Sequence, residues 1–335
     1  MHLLAAPDKL RGTLTAAAAA RAIGAGAARS GWTATELPLA DGGEGTLDAF
    51  GGANRKTIVR GPLGEPVEAG WRLDRGLAVV ETAQASGIAL VARNDPVAAD
   101  TYGSGQLIAA ALDAGAGRVL VGVGGSATTD GGAGAVRALR SYAPLERVEV
   151  ACDVTTLFAD AARAFGPQKG ASPEQVQILT ERLHETAERY RLDLGVDVRA
   201  LPGGGAAGGL AGGLAALGAE LAGGFELVAR HAGLDAALAG ADLVVTAEGA
   251  IDETSFAGKV VGGVLARAAS FGVDAVAVGG AVSFAPAGVE VVSLVERFGR
   301  EHALADAAGC LEAVVADVTR TRESRPRADS RRRLR

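Results

Sequence analysis

The sequence predicts an α/β protein in which a doubly wound parallel sheet is interrupted in the chain by an inserted second α/β domain with a mixed sheet. The chain opens on a strand, helix, strand unit and closes on β-branched runs alternating with helices, the pattern of parallel strands joined by right-handed crossovers. Between these ends lies a meander followed by further strands and helices, which needs its own layers. At 335 residues the length favours two domains, each able to bury a core.

Residues 3–6 form a short apolar run, residues 15–28 an Ala-rich helix capped by Thr13 or Thr15, and residues 35–39 a second strand. Strands follow at 56–60, 67–73 and 77–81, the first two bridged by Gly61-Pro62-Leu63-Gly64. A helix at 103–114, a strand at 118–123, a glycine-rich loop, a helix through Arg140 and a strand at 148–152 come next. Ser172 opens a helix over 173–192 with Gln175 at the capping-box position, and residues 203–222 read as an Ala/Gly/Leu helix. The closing part gives strands at 243–246, 275–279 and 289–294 with helices at 260–271 and 303–319. Two N-terminal and three C-terminal strands make one five-stranded sheet. The expected domains are therefore 1–54 with 236–319, an insertion at 55–235, and an Arg-rich disordered tail at 320–335.

Composition narrows the function. Hydrophobic residues make up 48% but aromatics only 4%, so Ala, Val and Leu must fill the interior. No apolar run approaches the roughly 20 residues needed to cross a bilayer, and the N-terminus lacks the features of a signal segment, so a cytoplasmic location and no membrane partner are expected. Cys152 and Cys310 are too few for a disulfide framework and are expected as buried thiols. The tail carries eight arginines against two acids, so the overall charge of −6 leaves −12 for the rest of the chain. A body this acidic offers no basic face to a phosphate backbone, and nucleic acid is not an expected partner. His2, His184, His231 and His302 lie outside every motif, which argues against a histidine base or a zinc site. Ser126 lacks a Gly-x-Ser-x-Gly elbow, and no Walker-type loop occurs.

Ligands of open parallel sheets bind beyond the carboxyl ends of the strands, and there the sequence puts its acids. Asp8, Lys9 and Arg11 follow the first strand; Asp41, Gly42, Gly43 and Glu44 follow the second; Glu248, Asp252 and Lys259 follow the third. One such loop reads as an Asp-Gly turn or a helix cap. Three on one rim point to phosphoryl transfer, which needs magnesium ligands, cations for the moving oxygens and a group to orient the hydroxyl. A fourth candidate runs from Gly122 through Gly124, Gly125, Ser126 and Thr128 to Asp130, Gly131 and Gly132. Gly122, Gly124 and Ala127 match a dinucleotide fingerprint formally, but Asp130 would repel a bare pyrophosphate, and the match falls mid-chain.

Taken in order, APDKLRGTLTA, LPLADGGEGT, ETAQASGIAL, VGVGGSATTDGGAGAVRAL, ACDVT, FGPQKGASPEQV, PGGGAAGGLAGGL and DLVVTAEGAIDETSFAGK resemble the class I glycerate kinase family, over residues 6 to about 319. The resemblance implies a flavodoxin-like domain interrupted by the second α/β domain. It implies transfer of the ATP γ-phosphate to D-glycerate with magnesium, giving 2-phosphoglycerate in preference to the 3-phosphate, and it admits a homodimer. Carried over by position, it implies Asp41, Lys9, Arg11 and Lys169 as catalytic residues. Asp8, Gly42, Gly43, Glu44, Gly124, Gly125, Ser126, Thr128, Asp130, Gln168 and Lys259 would bind substrate or nucleotide, and Glu248, Asp252 and Asp153 would hold magnesium. Asp41 is expected to orient or deprotonate the attacking hydroxyl, and Arg11 and Lys169 to hold the carboxylate or the γ-phosphate. The chain departs from the family pattern in four places: Arg11 replaces a frequent lysine, Ala247 and Ala250 stand where glycine and often arginine occur, Asp153-Val154-Thr155-Thr156 replaces Asp-Val-Asp-Asn, and the linker between Arg140 and Val148 is short. Two rival readings stand beside an active kinase: a weakened paralogue that binds nucleotide or a hydroxy acid, and a dinucleotide-dependent oxidoreductase.

Overall fold

The structure, a computed structural model, describes residues 1–323. Of the expected tail, residues 320–323 complete the last helix, Ala307–Glu323, and the remainder lies outside the described residues. The strands are β1 (His2–Ala5), β2 (Thr33–Glu36), β3 (Arg55–Arg60), β4 (Pro66–Asp74), β5 (Leu77–Glu81), β6 (Arg118–Gly122), β7 (Val148–Ala151), β8 (Glu220–Ala222), β9 (Leu243–Ile251), β10 (Asp274–Val282) and β11 (Glu290–Ser293). Contacts divide the chain into two units, Met1–Leu39 with the chain from Gly233 onward, and Ala40–Ala232.

The first unit holds a five-stranded sheet in the order β11-β10-β9-β1-β2, with every pair parallel. Counted within this unit the order is 2-1-3-4-5, that of flavodoxin-like sheets. Alternation along the strands serves two faces. Val276 and Val278 pack with Leu3, Val245, Ile23 of helix Ala16–Ala28 and Val314 of helix Ala307–Glu323. On the other face Ala277 and Ile251 pack with Val261 of helix Val260–Phe271.

Two expectations here are corrected. Residues 247–251 are strand, not loop, because β9 and β10 keep pairing as far as Ala250 with Ala281 and Ile251 with Val282. The closing helix is two helices, Arg300–Ala305 and Ala307–Glu323, broken at Asp306, whose carboxylate accepts from Gly309 N at 2.9 Å.

The second unit holds a six-stranded sheet, β3-β4-β5-β6-β7-β8, antiparallel through β5 as the meander predicts and parallel from β5 onward. Its long helix, Pro173–Leu194, opens on the expected capping box, Ser172 Oγ accepting from Gln175 N and Gln175 Oε1 from Ser172 N. The expected helix over 203–222 shrinks to Leu210–Ala216. Ala207 and Gly208 adopt positive φ, and residues 220–222 become β8, pairing with β7. An Ala/Gly run that looks helical thus supplies left-handed turns.

Residues 40–54, expected with the first domain, belong to the second unit. The cause is a close backbone approach. Gly42, at φ +80°, sits so that a Cβ would lie 2.4 Å from Ala151 Cβ at the end of β7. A Cβ on Gly224 would lie 1.9 Å from the Asp41 carbonyl oxygen. Buried Glu81, the last residue of β5, accepts from Gly45 N at 3.0 Å and Leu47 N at 2.8 Å and so fixes the far side of the loop. Gly224→Ala should therefore lower the stability by roughly 1–3 kcal/mol as an overpacked site does. Gly223→Ala, where the nearest atom is 3.7 Å away, should leave Tm unchanged. Equal melting temperatures for the two variants would show that the approach is not a constraint.

Candidate active site

In the second unit a cavity of about 420 Å³ lies beyond the carboxyl ends of β6 and β7. Asp41, Gly42 and Gly43 form one wall; Gly124, Gly125 and Ser126 follow β6; Asp153 follows β7; Gln168 and Lys169 come from the turn Pro167–Lys169. The structure thus gathers these expected residues around one space.

Backbone amides aim the two carboxylates. Asp41 Oδ1 accepts from Gly43 N at 3.1 Å, and Asp153 Oδ1 accepts from Gly224 N at 2.6 Å. Lys169 is only 4% exposed and donates from Nζ to the Thr128 carbonyl oxygen at 2.5 Å. Burial pulls its ammonium group down to about 8, with the nearby Asp130 charge acting in the opposite direction. Asn94 Nδ2 donates to the Ala127 and Lys169 carbonyl oxygens at 2.9 and 3.0 Å, tying the loop after β6 to the turn that carries the lysine.

Other expected residues stand elsewhere. Asp130 is buried behind the loop and is not among the cavity-lining residues. It accepts from Thr101 N, Thr101 Oγ1, Gly132 N and Gly134 N at 2.9–3.0 Å, which makes it a staple between the loop, the helix Ala133–Leu139 and Thr101. Burial pushes its carboxyl above the usual range against those four donors. Thr128 offers its carbonyl to Lys169, and its hydroxyl is buried without a hydrogen-bond partner among the described residues. Glu44 is exposed and outside the cavity wall. The dinucleotide geometry is absent, because the helix begins at Ala133 and Ala127 N instead donates to the Ser86 carbonyl oxygen.

The first unit holds the remaining candidates. Asp8 N donates to the Ala247 carbonyl oxygen at 2.9 Å, and Asp8 Oδ1 accepts from Lys9 N at 2.7 Å. Glu248 lies within β9 opposite Gly279, and Ala247 is in the core, so this altered segment is sheet rather than a loop. Asp252 caps the turn Glu253–Phe256, its Oδ1 accepting from Thr254 N, Thr254 Oγ1 and Ser255 N. The Thr254 hydroxyl above all holds its carboxyl below the ordinary range, and Lys259, which donates to that hydroxyl at 3.1 Å, acts in the same direction. Among the described residues no group of three or more His, Cys, Asp or Glu side chains is gathered in position to hold a metal ion.

Three residues of the site lack a strong sequence signal. Glu81 is legible only as an acid ending an apolar strand, and Asn94 sits in a segment without periodicity. Cys152, half-buried, lines the cavity rather than being sealed in a core, and burial raises its thiol. No helix among the described residues is long and apolar enough to cross a membrane.

A parallel-sheet unit of flavodoxin-like order, joined in one chain to a unit whose cavity carries two carboxylates, a buried lysine and glycine backbone, defines a class of α/β enzyme. The model of the glycerate kinase family matches residues 3–146 and 140–323, two stretches that meet at the short linker after Arg140. A glycerate kinase of Halalkalibacterium halodurans is 39% identical, with 84% of this chain and 85% of that protein covered. A glycerate 2-kinase of Escherichia coli K12 is 40% identical, with 79% and 81% covered. The crystal structure of a Salmonella typhimurium LT2 protein assigned as glycerate kinase 2 superposes with a TM-score of 0.84 at 35% identity, covering 97% of this chain and 98% of the other. The chain belongs to the glycerate kinase family and is a kinase.

With Lys169 near 8, the kinase rate should fall as pH rises through about 8. An unfolded lysine keeps its proton until about 10.5, so between these values the unfolded chain binds more protons and the contribution of Lys169 to stability rises with pH. Loss of rate without loss of Tm in that window is the expected pair of measurements. In Lys169→Arg, whose charge persists, this alkaline limb should vanish; its persistence would refute the assignment.

Proposed function

We propose that the protein transfers the γ-phosphoryl group of ATP to D-glycerate, with magnesium, and releases ADP and 2-phosphoglycerate. The observation that carries this reading is the meeting of Asp41, Lys169 and glycine backbone at one cavity, within a member of a kinase family. The oxygen of the glycerate hydroxyl forms a bond to the γ-phosphorus, the bond to the ADP oxygen breaks, and the hydroxyl proton passes to the Asp41 carboxylate. Gly43 N fixes the Asp41 side chain for that contact. The Lys169 ammonium, present at neutral pH, would meet the substrate carboxylate or the moving phosphoryl oxygens in a site where burial strengthens each electrostatic contact.

Magnesium takes one or two protein carboxylates together with phosphate oxygens and water, so a three-acid cage is not required. Asp153 on the cavity of the second unit fits that donor set; within the first unit Glu248 and Asp252 are the other candidate donors, and the ion would neutralise charge on the nucleotide phosphates. Lys9, Arg11 and Lys259 supply cations for nucleotide phosphates, and Gln168 and Ser126 supply polar contacts to the acceptor.

A coupled ADP-release assay with D-glycerate, ATP and magnesium, followed by phosphorus NMR of the product, tests the reading. Turnover to 2-phosphoglycerate is expected; the 3-phosphate would correct the regiochemistry, and ligand binding without turnover would favour a weakened paralogue. Asp41→Asn should lower kcat by about 100-fold or more with a smaller change in KM. An unchanged kcat would remove Asp41 from the reaction.

A further inference from the structure

Strand β7 sends its side chains alternately to two faces of the six-stranded sheet. Val148 and Val150 enter the core of the second unit, while Glu149 and Ala151 lie on the other face, where the helix Gly224–Ala232 and the Asp41 loop pack. Glu149 is only 3% exposed, a carboxylate buried on a strand that has neighbours on both sides. Its Oε1 accepts from Arg230 Nη2 at 2.6 Å and its Oε2 from His231 Nε2 at 2.5 Å, both near the end of that helix. Arg118, which opens β6, stands 3.7 Å from Oε1. None of these four residues lines the cavity, and the proposed reaction uses none of them. A leucine in the place of Glu149 would fill the sheet face without burying a charge. What the carboxylate adds is direction. Phe225, Leu227 and Val228 are buried and set the spacing of helix and sheet, whereas two hydrogen bonds to one fixed carboxylate also set where the helix stands along the strand.

The other end of the same helix is Gly224, about 10 Å from His231 at roughly 1.5 Å of rise per residue. There the tolerance is small. Gly224 N donates to Asp153 Oδ1 at 2.6 Å, and a withdrawal of about 1 Å would carry that bond out of hydrogen-bond range. The Asp41 carbonyl oxygen stands so close that a Cβ on Gly224 would lie 1.9 Å from it, so the backbone has no slack on that side either. The Asp153 side chain and the Asp41 loop therefore both take their position from one helix, and Glu149 holds the far end of that helix.

We propose that Glu149, Arg230 and His231 are positioning residues, a clamp that sets the helix Gly224–Ala232 on β7 and through Gly224 aligns Asp153 and the Asp41 loop. Its bearing on the rate rests on the roles proposed above for Asp41 and Asp153. Amide-resolved hydrogen exchange of the full chain by NMR, without ligands, reads the clamp itself. In His231→Leu, which keeps apolar packing but offers Glu149 no donor, the Gly224 amide should exchange roughly tenfold faster relative to the amides of the β6 and β7 ladder. His231→Gln, which restores a donor, should return it to the parent rate. In the ADP-release assay His231→Leu should lower kcat about tenfold with less than about a twofold change in KM, again recovered in His231→Gln. If His231→Leu does not fold, His231→Leu combined with Glu149→Gln, which leaves no carboxylate charge buried at that position, takes its place with the same expectation. Exchange at Gly224 that keeps step with the ladder, or an unchanged kcat despite faster exchange, overturns the proposal. A parent chain that does not turn over D-glycerate would sink the proposed reaction instead, and the exchange comparison would still decide on the clamp.

Discussion

Everything at the cavity depends on backbone lying against backbone where the Asp41 loop meets the end of β7. At Gly224 and Gly42 even a methyl group would collide, with the Asp41 carbonyl and with Ala151 respectively. Those approaches bring the Asp41 carboxylate to the same space as the loop after β6. Glu81 then satisfies two amides that the loop turns inward, since a buried backbone donor left unpaired costs about as much as a lost hydrogen bond. The sequence marks the loop with acids, but its glycines are what place them.

The second constraint is the cost of a buried cation. Moving Lys169 from 10.5 to about 8 corresponds to roughly 3 kcal/mol of disfavoured charge. That figure is what remains after the Asp130 charge has opposed the burial; the Thr128 carbonyl accepts the ammonium's hydrogen bond, and Asp130 is in turn held by Thr101, Gly132 and Gly134. A chain selected for stability alone would place an apolar residue at position 169. Retention of a costly ammonium on a cavity wall fits a site built to meet negative charge, and Asp130 supports it from behind that wall.

Local signals were legible where local chemistry decides the outcome. The Ser172 capping box, the helix over Val260–Phe271 and the strand Leu77–Glu81 follow from caps, periodicity and β-branched runs. The five-stranded sheet follows from the way those runs alternate with helices. What escaped the sequence depends on distant partners. Ala247 to Ile251 looks like an acid-and-glycine loop until β10 pairs with it. Residues 203–222 look helical until their glycines turn and β7 recruits residues 220–222. Asp130 looks like a ligand-facing acid until Thr101, 29 positions away, claims its oxygen. Likewise the boundary falls after Leu39 rather than residue 54, because Ala151, Gly224 and Glu81 capture the intervening loop.

Amide hydrogen exchange of the full chain, with and without D-glycerate and magnesium ATP, tests most directly whether this cavity is the working site. Slower exchange on ligand addition is expected in segments 41–45, 123–128 and 165–169, the three walls around Asp41 and Lys169. Protection confined to other segments, with those three unchanged, would contradict it.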